Sequence, residues 1–457
     1  MIKFPNNFLW GAAASAPQTE GHDLLNGKSM TTWDKWFEKN PELFNQRQGP
    51  QDASNVYEMY HEDVLNMVKI GMNSYRTSIS WARLLPDGVH LNVEAVAFYR
   101  HYFQDMLDNG IEPIINLFHF DMPWWLMEKG GWENRQSVTA FAFYARTAFE
   151  QFGDLVHKWT TFNEPMVHIE SGYLYGYHYP AIVDFRKAVQ VGYHTLLAHV
   201  SAVNEFKKNN FDGKIGIILN VSPAYSKSTE EADQQAKEYS DLLNIKSFLD
   251  PAVKGIVPEK LVKLLADNHL LPQVELGDAY LISNNCIDFI GINYYQPCRV
   301  QAPANSNNIA KKPEGFFAIY DWPDKRINPY RGWEIYPEAL YDVAIMMRDE
   351  YENIPWYVSE NGMGVADEER FMNNGMIDDQ YRIDFIKEHL EQLHKGIEVG
   401  SNCFGYHMWT FVDCWSWLNG YRNRYGFYRV DLDNHFKRSI KKSGLWFKEM
   451  TENNGFF

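Results

Sequence analysis

The stretch His157-Lys158-Trp159-Thr160-Thr161-Phe162-Asn163-Glu164-Pro165 decides the fold. Its aromatic and β-branched residues show no helical period and read as a buried parallel strand over His157–Phe162. Pro165 then stops the strand. A second run, Tyr357-Val358-Ser359-Glu360-Asn361-Gly362, has the same form and is closed by Gly362. Each run delivers a glutamate to the end of its strand. Outward from these two, similar short runs occur at Phe8–Ala13, Met72–Ile79, Pro113–Phe118, Lys214–Asn220, Asp288–Asn293 and Phe404–Trp409, and the second glutamate's strand is Trp356–Ser359. Helical patterns separate them. In Tyr57–Ile70, for example, Tyr57, Tyr60, Val64, Met67 and Val68 fall on one face. Further helices are predicted at Val93–Leu107, Val138–Phe149, Phe185–Phe206, Ala232–Leu249, Glu338–Arg348, Ile377–Leu393 and Ser439–Met450. Eight strands, each followed by a helix, predict an α/β fold: one (β/α)8 TIM barrel with elaborated βα loops.

A chain of 457 residues would by length alone suggest two or three domains. No linker, low-complexity tract or shift in composition interrupts the alternation, so residues 1–457 are read as a single barrel domain. The polar stretch Val300–Arg331 is the largest irregular piece. It follows a strand end and is expected to lie as a loop over the functional face.

Hydrophobic residues make up 45% of the chain and aromatic residues 16%, with 15 Trp and 27 Tyr. This is more aromatic surface than a core requires, and flat rings suit the apolar faces of sugars. The net charge of −16 argues against nucleic acid and anionic membrane as partners. The four cysteines Cys286, Cys298, Cys403 and Cys414 form no CxxC pair and have no zinc spacing. Cys286 and Cys403 read as buried thiols in core strands. Phe8–Ala16 resembles a short signal segment but lacks a basic leader beyond Lys3, and it is read as the first strand. No run of 18 apolar residues exists. A cytoplasmic location is expected, with no metal and no cofactor.

Two carboxylates at the ends of two strands of one barrel can face each other across a sugar, which is the minimum equipment for cleaving a glycosidic bond. Around them, further motifs occur in order: Gln18-Thr19-Glu20-Gly21, Asn73 to Trp81, His119-Phe120-Asp121-Met122-Pro123, Gly291-Ile292-Asn293-Tyr294-Tyr295 and Gly405-Tyr406-His407-Met408-Trp409. With the two glutamate motifs these make seven blocks. In that order the chain resembles the family 1 glycoside hydrolases over nearly its whole length.

The resemblance implies a retaining double displacement, with carboxylates about 5–5.5 Å apart. Glu164 would be the general acid and then the base, and Glu360 the nucleophile that forms a glycosyl-enzyme. Arg76 and Tyr295 resemble the residues that hold the nucleophile charged and oriented. Asn163 would bind the sugar 2-hydroxyl. Gln18, His119 and Asn293 are neutral groups suited to the other hydroxyls. Trp409 would form the floor of the innermost subsite, and Trp333 the leaving-group platform. Glu20 and Trp132 are open between scaffold and direct contact.

The family's ordinary β-glucosidases carry a glutamate shortly after the Trp409 position. Here the run Trp409-Thr410-Phe411-Val412-Asp413-Cys414-Trp415-Ser416-Trp417 has Ser416 instead. A carboxylate would repel a 6-phosphate, whereas a hydroxyl donates to it. This is the pattern of the family's 6-phospho-β-glycosidases, which place a Ser, a Lys and a Tyr around the phosphate. Ser416 and Tyr425 match the first and third, and Asn423 occupies the lysine position. Arg422 or Arg424 is a candidate for the missing cation, although neighbours on a strand point to opposite sides. Trp417 resembles the tryptophan that faces the 4-hydroxyl in the phosphogalactosidase branch. The expected substrate is a 6-phospho-β-glucoside, with 6-phospho-β-galactosides tolerated. The alternatives are a β-glucosidase for neutral sugars and a catalytically silent sugar-binding barrel.

Overall fold

A computed structural model describes residues 2–21, 24–51, 53–304 and 312–457. Eight strands close into a barrel in chain order: β1 Leu9–Ala13, β2 Ser74–Ser78, β3 Glu112–Phe118, β4 Lys158–Asn163, β5 Lys214–Asn220, β6 Phe289–Asn293, β7 Trp356–Asn361 and β8 Cys403–Trp409. Every neighbouring pair is parallel, and β8 closes on β1. The ring of helices is α1 Val56–Lys69, α2 Val93–Asp108, α3 Gln136–Phe152, α4 Phe185–Lys208, α5 Glu231–Asp241, α6 Glu338–Glu350, α7 Gln380–Glu398 and α8 Lys442–Glu452.

The period of two along each strand sorts its side chains. On β3, Ile115 and Leu117 join the large layer between strands and helices, while Ile114 points inward to Phe289 and Tyr357. On β2, Tyr75 joins the helix-facing layer, and Arg76 is buried beside the pairing partner positions Ala13 and Ile114. An apolar plug therefore fills one part of the barrel, and polar side chains occupy the C-terminal end, as the architecture requires of a functional face.

All eight strands fall where the sequence places them, but three helix boundaries move. After α5 the helix continues through a π-turn at Leu242–Lys246 and on to Lys254, and Gly255, at φ 69°, ends it. The expected start of α7 at Ile377 is instead a hairpin of Met372–Asn373 with Met376–Ile377. The expected start of α8 at Ser439 lies in a strand, Lys437–Ile440, paired with Tyr428–Asp431. In both cases the antiparallel pairing satisfies the backbone before the helix begins. Val300–Arg331 is less irregular than expected. Cys298–Gln301 and Ala318–Ile319 form a three-stranded sheet with Ala224–Ser226, and positions 305–311 lie outside the described residues. Cys286 is half-buried in the link before β6 rather than in a core strand, whereas Cys403 is buried in β8.

Among the described residues, no helix is long and apolar enough to cross a membrane.

Candidate active site

Glu164 follows β4 directly and adopts a left-handed backbone, φ 45° and ψ 64°, with Pro165 opening the next helix. That region is sparsely populated for a residue with a Cβ, and such strain is characteristic of functional positions. Its amide donates to the Ile218 carbonyl at 2.9 Å, which pins it to the neighbouring β5. Glu360 lies in β7, beside Asn293 in register. Gly362, two residues on, is required by close approach: a Cβ there would stand 2.2 Å from the Trp409 carbonyl oxygen.

The two carboxylates have opposite surroundings. Arg76 Nη2 donates to Glu360 Oε1, and the Tyr295 hydroxyl donates to Glu360 Oε2 at 2.7 Å. Burial alone would lower the Arg76 pKa, but the Glu360 charge and hydrogen bond, together with the Tyr357 and Tyr295 phenols, outweigh it and the guanidinium stays charged. Burial and the Glu360 charge push the Tyr295 phenol well up, so it remains a donor. Glu164 receives one hydrogen bond, from Asn293 Nδ2 at 2.9 Å. Glu164 is half-buried. Burial first, and the nearby Glu360 charge second, push its carboxyl up to about 8. One acid is thus held protonated near neutrality beside a second carboxylate that has a cation and a phenol donor.

A polar network ties these groups together. Asn163 Oδ1 accepts from Asn293 Nδ2 at 3.0 Å and from Arg76 Nη2 at 3.3 Å, so its amide nitrogen faces His119 Nε2 at 3.3 Å. Ser359 Oγ donates to Asn293 Oδ1 at 2.6 Å and fixes that amide's orientation. Burial, with the Arg76 cation, lowers the His119 pKa well below its usual value, so the ring is neutral. Its Nδ1 is buried without a partner.

Aromatic rings form the walls. The His119 ring lies nearly parallel to Trp409 (6.0 Å, 18°) and to Trp417 (6.1 Å, 22°), and Trp417 stacks on Trp33 at 4.5 Å. Trp333 packs against Tyr295 at 5.2 Å. Gln18 Nε2 donates to the Trp415 carbonyl at 2.9 Å and its Oε1 accepts from Ser15, which stitches the β1 loop to the segment carrying Ser416. Glu20 and Trp132 belong to the scaffold. Glu20 pairs with Arg83 and accepts from Tyr99, while Trp132 is buried among Phe118, Phe141 and Phe162.

Ser416, Asn423 and Tyr425 are all buried. Among the described residues, neither arginine beside Asn423 makes a hydrogen bond or ion pair with Ser416 or Tyr425; Arg422 lies in a bend before the short strand Asn423–Arg424. Arg422 is exposed, and Arg424 approaches Asp413 at 3.6 Å and lies over Tyr421. Both line an outer groove with Gln48, Asp367 and Arg429, which Ser416, Asn423 and Tyr425 do not reach. Neither arginine therefore replaces the missing lysine. A further cavity of about 860 Å³, mostly apolar, lies on the flank beside α4, and no candidate site residue lines it.

Ser359 and Trp33 went unnoticed in the sequence. Ser359 acts through Asn293, and Trp33 reaches the site by stacking on Trp417 and by donating to the Phe120 carbonyl at 3.1 Å, beside His119.

The model of glycosyl hydrolase family 1 matches residues 1–456. The 6-phospho-beta-glucosidase GmuD of Bacillus subtilis is 49% identical over 99% of this chain and 98% of its own length. Beta-glucosidase A of Acetivibrio thermocellus is 38% identical over 100% and 99%. The solved family 1 β-glucosidase of Thermotoga maritima superposes with a TM-score of 0.93 at 34% identity, covering all of both chains.

Proposed function

The chain belongs to glycosyl hydrolase family 1, and from that premise we propose that it is a retaining hydrolase of 6-phospho-β-D-glucosides, acting as one catalytic domain in the cytoplasm. Glu164, protonated near neutrality, gives its proton to the glycosidic oxygen as Glu360 attacks the anomeric carbon. The leaving group departs with that proton, and the sugar is esterified to Glu360. Esterification removes the Glu360 charge, which is one of the two causes that raise the Glu164 pKa. Glu164 is then a carboxylate able to take a proton from water. Water adds to the anomeric carbon, and both carboxyl groups return to their starting states.

Arg76 and Tyr295 donate to the two Glu360 oxygens and orient the carboxyl group. Asn163 is placed for the 2-hydroxyl, and His119, Gln18 and Asn293 for hydroxyl recognition. Trp409 lies beneath the sugar, Trp417 flanks it, and Trp333 receives the leaving group. Ser416, Asn423 and Tyr425 receive the phosphate.

The observation that carries the phosphate reading is Ser416, a buried hydroxyl where the family's ordinary β-glucosidases place a carboxylate. The 49% identity to a relative named as a 6-phospho-β-glucosidase supports it. The neutral β-glucosidase reading draws on the absent lysine and on the likeness to the Thermotoga enzyme. Hydrolysis of 4-nitrophenyl β-D-glucoside and of its 6-phosphate at equal low concentration separates them. Preferential turnover of the phosphate is expected, and preference for the neutral glucoside would overturn the phosphate reading.

A further inference from the structure

Asn423 leaves the proposed phosphate pocket without the expected ammonium, and its Nδ2 is buried without a partner. The chain must find a cation elsewhere or bind a dianion with neutral donors alone. Arg382 is close enough for its charge to act on Tyr425, but it is consumed by Glu368, at 2.6 Å, and by Asp379. Arg424 is turned to Asp413.

Arg331 differs from both. Among the described residues it has no carboxylate partner, its Nε is buried without a hydrogen bond, and its guanidinium lies over Trp333 at 4.4 Å. Its loop is held against the pocket. The Arg331 amide donates to the Asn328 carbonyl at 3.3 Å, and Asn328 Nδ2 donates to the Gly364 carbonyl at 2.8 Å. Gly364 in turn lies against the Tyr425 phenol so closely that a Cβ would stand 2.3 Å from Cζ and 2.6 Å from the hydroxyl. After burial, the Arg331 charge is the largest influence on the Tyr425 phenol, and it lowers that pKa.

We propose that Arg331 supplies the cation for the sugar 6-phosphate, reaching from the loop before Trp333 to meet it beside Tyr425. The inference rests on the 6-phospho reading above. A guanidinium suits this task because it presents several donors in a plane and keeps its charge when partly desolvated. The stacking on Trp333 orients the fork while leaving its edges free. In this arrangement the leaving-group platform and the phosphate site share one loop.

The test uses the full-length enzyme with 4-nitrophenyl β-D-glucoside 6-phosphate and its unphosphorylated counterpart. Arg331→Gln should raise KM for the phosphorylated substrate about 10- to 100-fold with little change in kcat, as loss of a charge-assisted bond predicts. The ratio of kcat/KM between the two substrates should fall by the same factor, and Arg331→Lys should recover most of it. Tyr425→Phe runs in parallel. If Tyr425→Phe lowers the ratio and Arg331→Gln does not, the Arg331 assignment fails while the phosphate reading stands. An equal loss on both substrates would assign Arg331 to the support of Trp333 and overturn the proposal. If the wild-type enzyme does not prefer the phosphate, both readings fail.

Discussion

Replacing Glu164 by Gln tests the division of labour between the two carboxylates. Gln keeps the acceptor for Asn293 Nδ2 but removes the ionisable proton. The Glu164 carboxyl is raised from 4.5 to about 8, which at ~1.4 kcal/mol per unit penalises its ionisation by roughly 5 kcal/mol. That is an upper figure, because Glu164 is half-buried. At pH 7 roughly nine-tenths of the enzyme carries the proton. Wild-type kcat/KM should therefore fall above about pH 8, whereas the Gln variant, tested on an aryl substrate with a good leaving group, should retain partial activity and lose that basic limb. The basic limb is the informative one, because the substrate phosphate itself titrates near pH 6.

Stability supplies a second readout. The folded pKa lies above the unfolded value, so Glu164 costs nothing below pH 4.5, and its penalty grows as pH rises through about 8. The Gln variant should match the wild type near pH 4 and gain in melting temperature relative to it between pH 5 and 9. A basic limb that survives in Glu164→Gln, together with a melting difference that is flat across this range, would refute the reasoning.

Tyr295→Phe removes the 2.7 Å bond to Glu360. The lost charge-assisted bond is worth about 1.5–3 kcal/mol, so kcat should fall roughly 10- to 100-fold with the fold intact, checked by steady-state kinetics and circular dichroism. Lys441 is buried between Asp413, at 2.8 Å, and Glu368, at 2.5 Å. Lys441→Met removes the cation these two buried carboxylates share, leaving Arg382 to Glu368 and Arg424 to Asp413, and should destabilise the barrel by about 1.5–3 kcal/mol, read as an earlier thermal or denaturant transition.

Much of this molecule was legible in the chain because its determinants are local. Strand β4 needs only its β-branched and aromatic residues and the stop at Pro165. The motif order places Glu164 and Glu360 at the ends of two barrel strands, the fourth and the seventh, without any coordinates. The helix starts at Gln380 and Lys442 differ from the expectation because short antiparallel hairpins, Met372–Asn373 with Met376–Ile377 and Tyr428–Asp431 with Lys437–Ile440, take up residues that the helical pattern also claims.

The sequence by itself determined the barrel and the family and singled out Glu164 and Glu360 as the proposed carboxylate pair, since these follow from periodicity and from short motifs. Only the tertiary structure decided their electrostatics. Arg76 and Glu360 stand 284 positions apart, and Asn293 and Glu164 stand 129 apart. A pKa depends on burial and on charges that the chain brings together only when the barrel closes. The same holds for the phosphate cation. Arg422 and Arg424 are adjacent to Asn423 in sequence but turn to the outer groove, while the loop of Arg331, 92 residues away, is tied through Asn328 to Gly364, which lies against Tyr425. Sequence proximity does not decide side-chain direction; loop packing does.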